Sequence, residues 1–121
     1  MYKLVILVES SVTPEVIDAN WAQFLHSVEA MPNLRREVTS RIDSHLFGST
    51  SYQLMHELIF DTAEDAHSAM ASEAGRNAGR LLQSMSGGRL VLFLADHKED
   101  ELENIRKYRQ PNNPSQAPAN G

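Results

Sequence analysis

The polar and apolar positions change period several times along the chain, and each change marks an element. Residues 2–8 (YKLVILV) are a short apolar run bounded by Glu9-Ser10-Ser11. The run is too short for a typical helix and rich in β-formers, so it predicts a strand buried on both faces. Thr13-Pro14-Glu15 then reads as a helix start, with Thr13 capping through its hydroxyl, Pro14 in the first turn and Glu15 on the positive end of the dipole. Ile17, Trp21, Phe24, Leu25 and Val28 follow on one helical face, and Pro32 closes the helix by biasing Met31 out of the helical region.

Residues 34–47 put Leu34, Val38, Ile42 and Leu46 at even positions. Arg35, Glu37, Thr39, Arg41, Asp43 and His45 occupy the odd ones. The β-branched residues, the missing cap and the Gly-Ser-Thr-Ser turn at 48–51 favour a strand, hairpinned to Tyr52–Phe60. Thr62, with Asp65 three residues on, starts a second helical region that breaks near Ser72 and resumes over 73–86. Ser86-Gly87-Gly88 turns into a last apolar strand over 89–95.

The order β-α-β-β-α-β predicts an α+β, ferredoxin-like domain: a four-stranded antiparallel sheet with helices on one face. The two most apolar strands, the first and last, are expected inside the sheet. Apolar strands with helices for only one face imply a second subunit over the other, and hence a homodimer. Residues 1–97 form the expected domain. Residues 98–109 read as a charged extension with helical character, and 110–121 (QPNNPSQAPANG, without a large apolar side chain) as a disordered tail.

Composition narrows the chemistry. The 121 residues contain no Cys, which excludes disulfides, thiol nucleophiles and cysteine-ligated metals. A formal charge of -5 argues against a nucleic-acid partner. Leu4–Val8 is far shorter than the roughly 20 apolar residues of a membrane span, so no membrane partner is expected, and a cytoplasmic location is. His56-Glu57 is not a zincin motif, because Phe60 stands where its second His belongs. Glycine-rich nucleotide loops and a G-x-S-x-G elbow are absent.

The sequence resembles the EthD family, named for ethyl tert-butyl ether degradation, of the dimeric α+β barrel superfamily. The likeness rests on Met1-Tyr2-Lys3-Leu4-Val5, the helix around Trp21, Met31-Pro32-Asn33-Leu34-Arg35-Arg36, His56-Glu57-Leu58-Ile59-Phe60-Asp61 and Ala69-Met70-Ala71-Ser72, and covers about residues 1–96. It implies a homodimer whose two sheets face each other around a pocket, with relatives that include cofactor-free monooxygenases, cyclases and isomerases. In one departure, Leu25 stands where such chains often carry a His, and the imidazole falls instead at His26. That one-residue shift turns the side chain by about 100°.

Candidate chemistry is therefore limited to imidazole, carboxylate and guanidinium groups, with no bound cofactor and no metal site. If the even face of 34–47 meets the helices, the odd face lines the inter-sheet cavity. His45 and Glu57 are then candidate acid/base groups, with Arg35 or Arg41 on an enolate or phenolate oxygen and Glu37 beside them; His56 lies on the even face and becomes the acid/base candidate if the two faces are inverted. Trp21 and Phe24 are candidate walls for a small hydrophobic ligand. The plainer reading has a solvated, ion-paired strand face, a structural His56, and Trp21 and Phe24 in the core. A non-catalytic ligand-binding module or a structural dimer is the alternative to an enzyme.

Overall fold

The computed structural model describes residues 1–103. The expected extension over 98–109 falls partly, and the expected tail over 110–121 wholly, outside them. Seven elements follow in the order β1 (Tyr2–Glu9), α1 (Pro14–Glu29), β2 (Arg36–Arg41), β3 (Tyr52–Phe60), α2 (Ala63–Ala71), α3 (Glu73–Ser86) and β4 (Leu90–Asp96). This is the predicted α+β ferredoxin-like pattern, with the second helical region divided in two. Ser72 makes the division. Its hydroxyl donates to the Ala69 carbonyl at 2.6 Å and accepts from the Gly75 amide at 3.0 Å, ending one helix and capping the next. Gly75 follows because a Cβ there would collide with the Ala69 carbonyl. Thr62 caps α2 as expected, accepting from the Asp65 amide. Thr13 does not cap α1 through its side chain; only its carbonyl serves, accepting from the Val16 and Ile17 amides.

The sheet is antiparallel throughout, in the order β2-β3-β1-β4. The expectation that the first and last strands both lie inside is corrected: β1 and β3 are central, and β4 is an edge. The two βαβ units are split, so each leaves a gap between its parallel strands that a strand of the other unit fills. β3 fills the gap between β1 and β2. At the edge, β4 leaves Leu92 and Phe93 about half exposed despite their apolar character.

Alternation assigns the two faces. Leu4, Ile6 and Val8 of β1 and Leu58 and Phe60 of β3 point to the helices. There they pack with Ile17, Phe24 and Val28 of α1, Ala66 and Ala69 of α2, and Ala78, Leu82 and Met85 of α3. The opposite face, open at its flanks, carries Lys3 and Val5, their neighbours Glu57 and Ile59 on β3, Val38 of β2 and Phe93 of β4; Val5 and Ile59 at its centre are buried, Val38 and Phe93 exposed. Here the sequence reading of β2 is inverted. Glu37 pairs with Leu58, Thr39 with His56 and Arg41 with Leu54, so the odd positions lie on the helix side and the apolar Val38 on the open side. β2 is also shorter than expected: Asp43, His45 and Leu46 belong to the loop after Arg41.

Candidate functional site

β3 places His56 at the centre of the sheet, between Ile6 of β1 and Thr39 of β2. The imidazole is 1% exposed. α1 crosses above it, and the helical spacing of Trp21 and Phe24 brings both rings edge-on to the imidazole, with centroids 5.2 and 5.8 Å away. The two rings also touch each other at 5.0 Å. A buried imidazole needs a partner for each nitrogen, and β2 supplies both from one face. Nδ1 lies 2.8 Å from the Thr39 hydroxyl and Nε2 lies 3.0 Å from Glu37 Oε1.

The protonation pattern follows from these partners. Burial pushes the His56 pKa down to about 4, against a smaller opposing pull from the Glu57 carboxylate. The ring is therefore neutral at pH 7. A neutral ring carries one N–H, and the carboxylate of Glu37 can only accept, so the network assigns the proton to Nε2. Nδ1 then accepts from Thr39. Glu37 is held above the ordinary carboxylate range by its own partial burial and by repulsion from the Glu29 carboxylate at the end of α1.

The cluster meets the surface on two sides. At one end Thr39 and Arg41 line a groove of about 620 Å³, walled by Pro14, Ile17 and Asp18 of α1 and by Ile42 and Leu54. At the other end Glu37 borders a smaller groove of about 280 Å³, beside Glu29, Met31 and Leu34. His56 itself faces neither; its buried ring links the residues that do.

Of the sequence candidates, the fold brings together Trp21, Phe24, Glu37, Arg41 and His56, and separates three others. Glu57 points to the open face, where it pairs with Lys3 at 2.6 Å. Arg35 precedes β2, away from His56; it pairs with Asp61 at 3.3 Å on the surface and meets only Glu37 of the candidates, at the smaller groove. His45 lies in the loop, where its Nε2 accepts the Tyr52 amide at 2.9 Å, a local structural bond. These placements follow from alternation: β2's odd face turned to the helices rather than to a partner sheet, and neighbours in a strand point oppositely. The residue that sequence reading passed over is Thr39. Its signal was available in its position between Glu37 and Arg41 at strand spacing. Among the described residues, no group of three or more His, Asp or Glu is arranged to hold a metal ion.

No family model matches the chain, and no curated protein matches it significantly. Solved structures do. An EthD family protein from Bacillus halodurans shares 24% identity over 81% of this chain and 99% of its own, with a TM-score of 0.73. A dimeric ferredoxin-like protein of unknown function from Thermobifida fusca shares 15% identity over 79% and 90% of the two chains, with a TM-score of 0.61. The cofactor-independent oxygenase SnoaB from Streptomyces nogalater shares 10% over 84% and 95%, with a TM-score of 0.60. At these identities the likeness is one of fold, and at that level the chain has the ferredoxin-like α+β architecture that its resemblance to the EthD family implies.

Proposed function

We propose that this protein binds a small organic molecule between α1 and the β2–β3 edge, and acts on it by cofactor-free proton transfer through the Glu37–His56–Thr39 chain. The observation that carries the reading is the buried imidazole with both nitrogens engaged, one partner of which lines an open groove. A purely structural core His needs no such outlet. His56 is the central acid/base group, Trp21 and Phe24 hold its ring, and Arg41 stabilises negative charge on a ligand oxygen. That a cofactor-independent oxygenase shares the fold is compatible with such chemistry. The working unit is a homodimer joined through the open face, where Val38 and Phe93 stand exposed; relatives of the same fold are dimeric.

The test couples the single Trp, Trp21, to a panel of small enols and phenols. Binding should quench its fluorescence, and turnover should be lost in His56→Gln. Full turnover in His56→Gln would contradict the catalytic role. A second reading, ligand binding without turnover, has its own support, because an imidazole held at about 4 is a weak base at neutral pH. Saturable binding with no product from any ligand in the panel would favour it.

A further inference from the structure

Four polar side chains line the groove beside His56, Asp18, Thr39, Arg41 and Gln53, and of these Thr39 and Arg41 have fixed and different preferences. Thr39 has one hydroxyl proton, and the accepting Nδ1 of His56 takes it at 2.8 Å. What Thr39 offers to a ligand is therefore an oxygen that accepts, not a proton that donates. Arg41 is the second group. It forms no ion pair among the described residues, and it lines the same groove. A guanidinium is always charged and presents a planar fork of donors that fits a carboxylate.

The spacing of the two groups is set by the strand. Thr39 and Arg41 are two residues apart on one face of β2, which separates their backbone positions by about 6.6 Å. The walls around them are mostly aliphatic, from Ile17 of α1, Leu54 of β3 and Ile42 just after β2, and Gln53 beside them spends its amide N–H groups on the Glu9 and Val12 carbonyls. An acceptor at one end, a carboxylate receptor at the other and apolar walls between describe a ligand with matching ends. Asp18, on the α1 side, adds a restriction, since its carboxylate disfavours a second anionic group.

We infer that the groove selects a hydroxyaryl monocarboxylate, its phenolic O–H donating to Thr39 Oγ1 and its carboxylate bound by Arg41. This rests on the groove being the ligand site proposed above, and it adds the class of ligand. Thr39 becomes a ligand-contacting residue whose acceptor role is imposed from behind by His56 and Glu37. Loss of Glu37's accepting carboxylate would free the ring to take the other tautomer and so turn Thr39 into a donor.

The experiment titrates the full chain with 4-hydroxybenzoate, benzoate and phenol, reading Trp21 fluorescence and confirming each affinity by calorimetry. The para-hydroxy acid should bind at least about tenfold more tightly than either half-molecule, since each lacks one charge-assisted or buried hydrogen bond. Thr39→Val should reduce its affinity to that of benzoate, Thr39→Ser should restore it, and Arg41→Gln should reduce it to that of phenol. Equal affinity for all three compounds, or an unaltered preference in folded Thr39→Val, overturns the inference. Tight binding of phenol with rejection of both acids overturns it too, while leaving the groove as a ligand site. Absence of binding by all three overturns the inference and removes the support for the groove itself.

Discussion

The two faces of the sheet are built from the same strands and do opposite things with charge. His56 and Glu57 are neighbours on β3, yet the first is sealed under Trp21 and Phe24 and the second pairs with Lys3 on the open side. On the helix side, one polar chain runs from the half-buried Glu37 through the buried His56 to the exposed Thr39. On the open side, an ion pair sits among apolar residues, with Val38 and Phe93 left uncovered at the flanks. On the proposed function, the difference separates chemistry from assembly. A carboxylate one residue from an imidazole contributes to its field but not to its hydrogen bonds, while Glu37, distant in sequence, holds its proton in place.

The comparison can be broken most forcefully at the aromatic pair of the two layers. Phe24→Ala removes a fully buried ring from the roof of the cluster and should cost about 3–5 kcal/mol in urea unfolding. Phe93→Ala removes a half-exposed ring from the open face and should cost the isolated chain about 1 kcal/mol or less while weakening dimerisation. Similar costs for the two would mean that the faces are not energetically distinct.

Next comes acidity. In the unfolded chain His56 titrates near 6.5, and in the fold near 4. Between those values the unfolded chain binds more protons, so the contribution is complete above pH 6.5 and is lost as pH falls toward 4. The shift corresponds to about 3 kcal/mol. His56→Gln should flatten that part of the stability profile, as measured by denaturant midpoints across the window. A profile unchanged by the substitution would refute the assignment.

The open-face carboxylate has a smaller expected effect. Among the described residues, the Glu57 carboxylate pulls the His56 pKa upward. Glu57→Gln should therefore move it slightly further down, leave the ligand affinity intact, and cost about 1 kcal/mol or less through the partly exposed Lys3 pair. Loss of ligand binding in this variant would return Glu57 to the site. Smallest of all, His45→Ala should cost at most about 1 kcal/mol, the worth of its bond from the Tyr52 amide, without changing binding.

Much of this architecture is legible in the chain because it is local. The apolar run of β1, the face of α1 from Ile17 to Val28, the Thr62 cap and the break near Ser72 all depend on residues within a few positions of each other. The strand order is not local. β4 is as apolar as β1 by composition, and only the gap left by each split βαβ unit decides that β3 takes the inner place. The face of β2 escaped for a related reason. A strand with apolar residues at even positions reads as facing the core, but at a sheet edge whose second side is also apolar, Val38 can face outward. The partner strand's register settles the choice, bringing Thr39 beside His56. Trp21, Phe24 and His56 were identifiable as candidates by type, whereas their meeting point was set by contacts across the sequence.

Everything proposed for the site depends on His56 being a neutral Nε2–H imidazole fixed between Glu37 and Thr39. Long-range nitrogen–proton NMR correlations of the imidazole ring, followed from pH 7.5 to 4, test it directly. The expected spectra show a protonated Nε2, a bare Nδ1 and no titration until about pH 4. A ring titrating near its ordinary 6.5, or carrying its proton on Nδ1 at neutral pH, would contradict it.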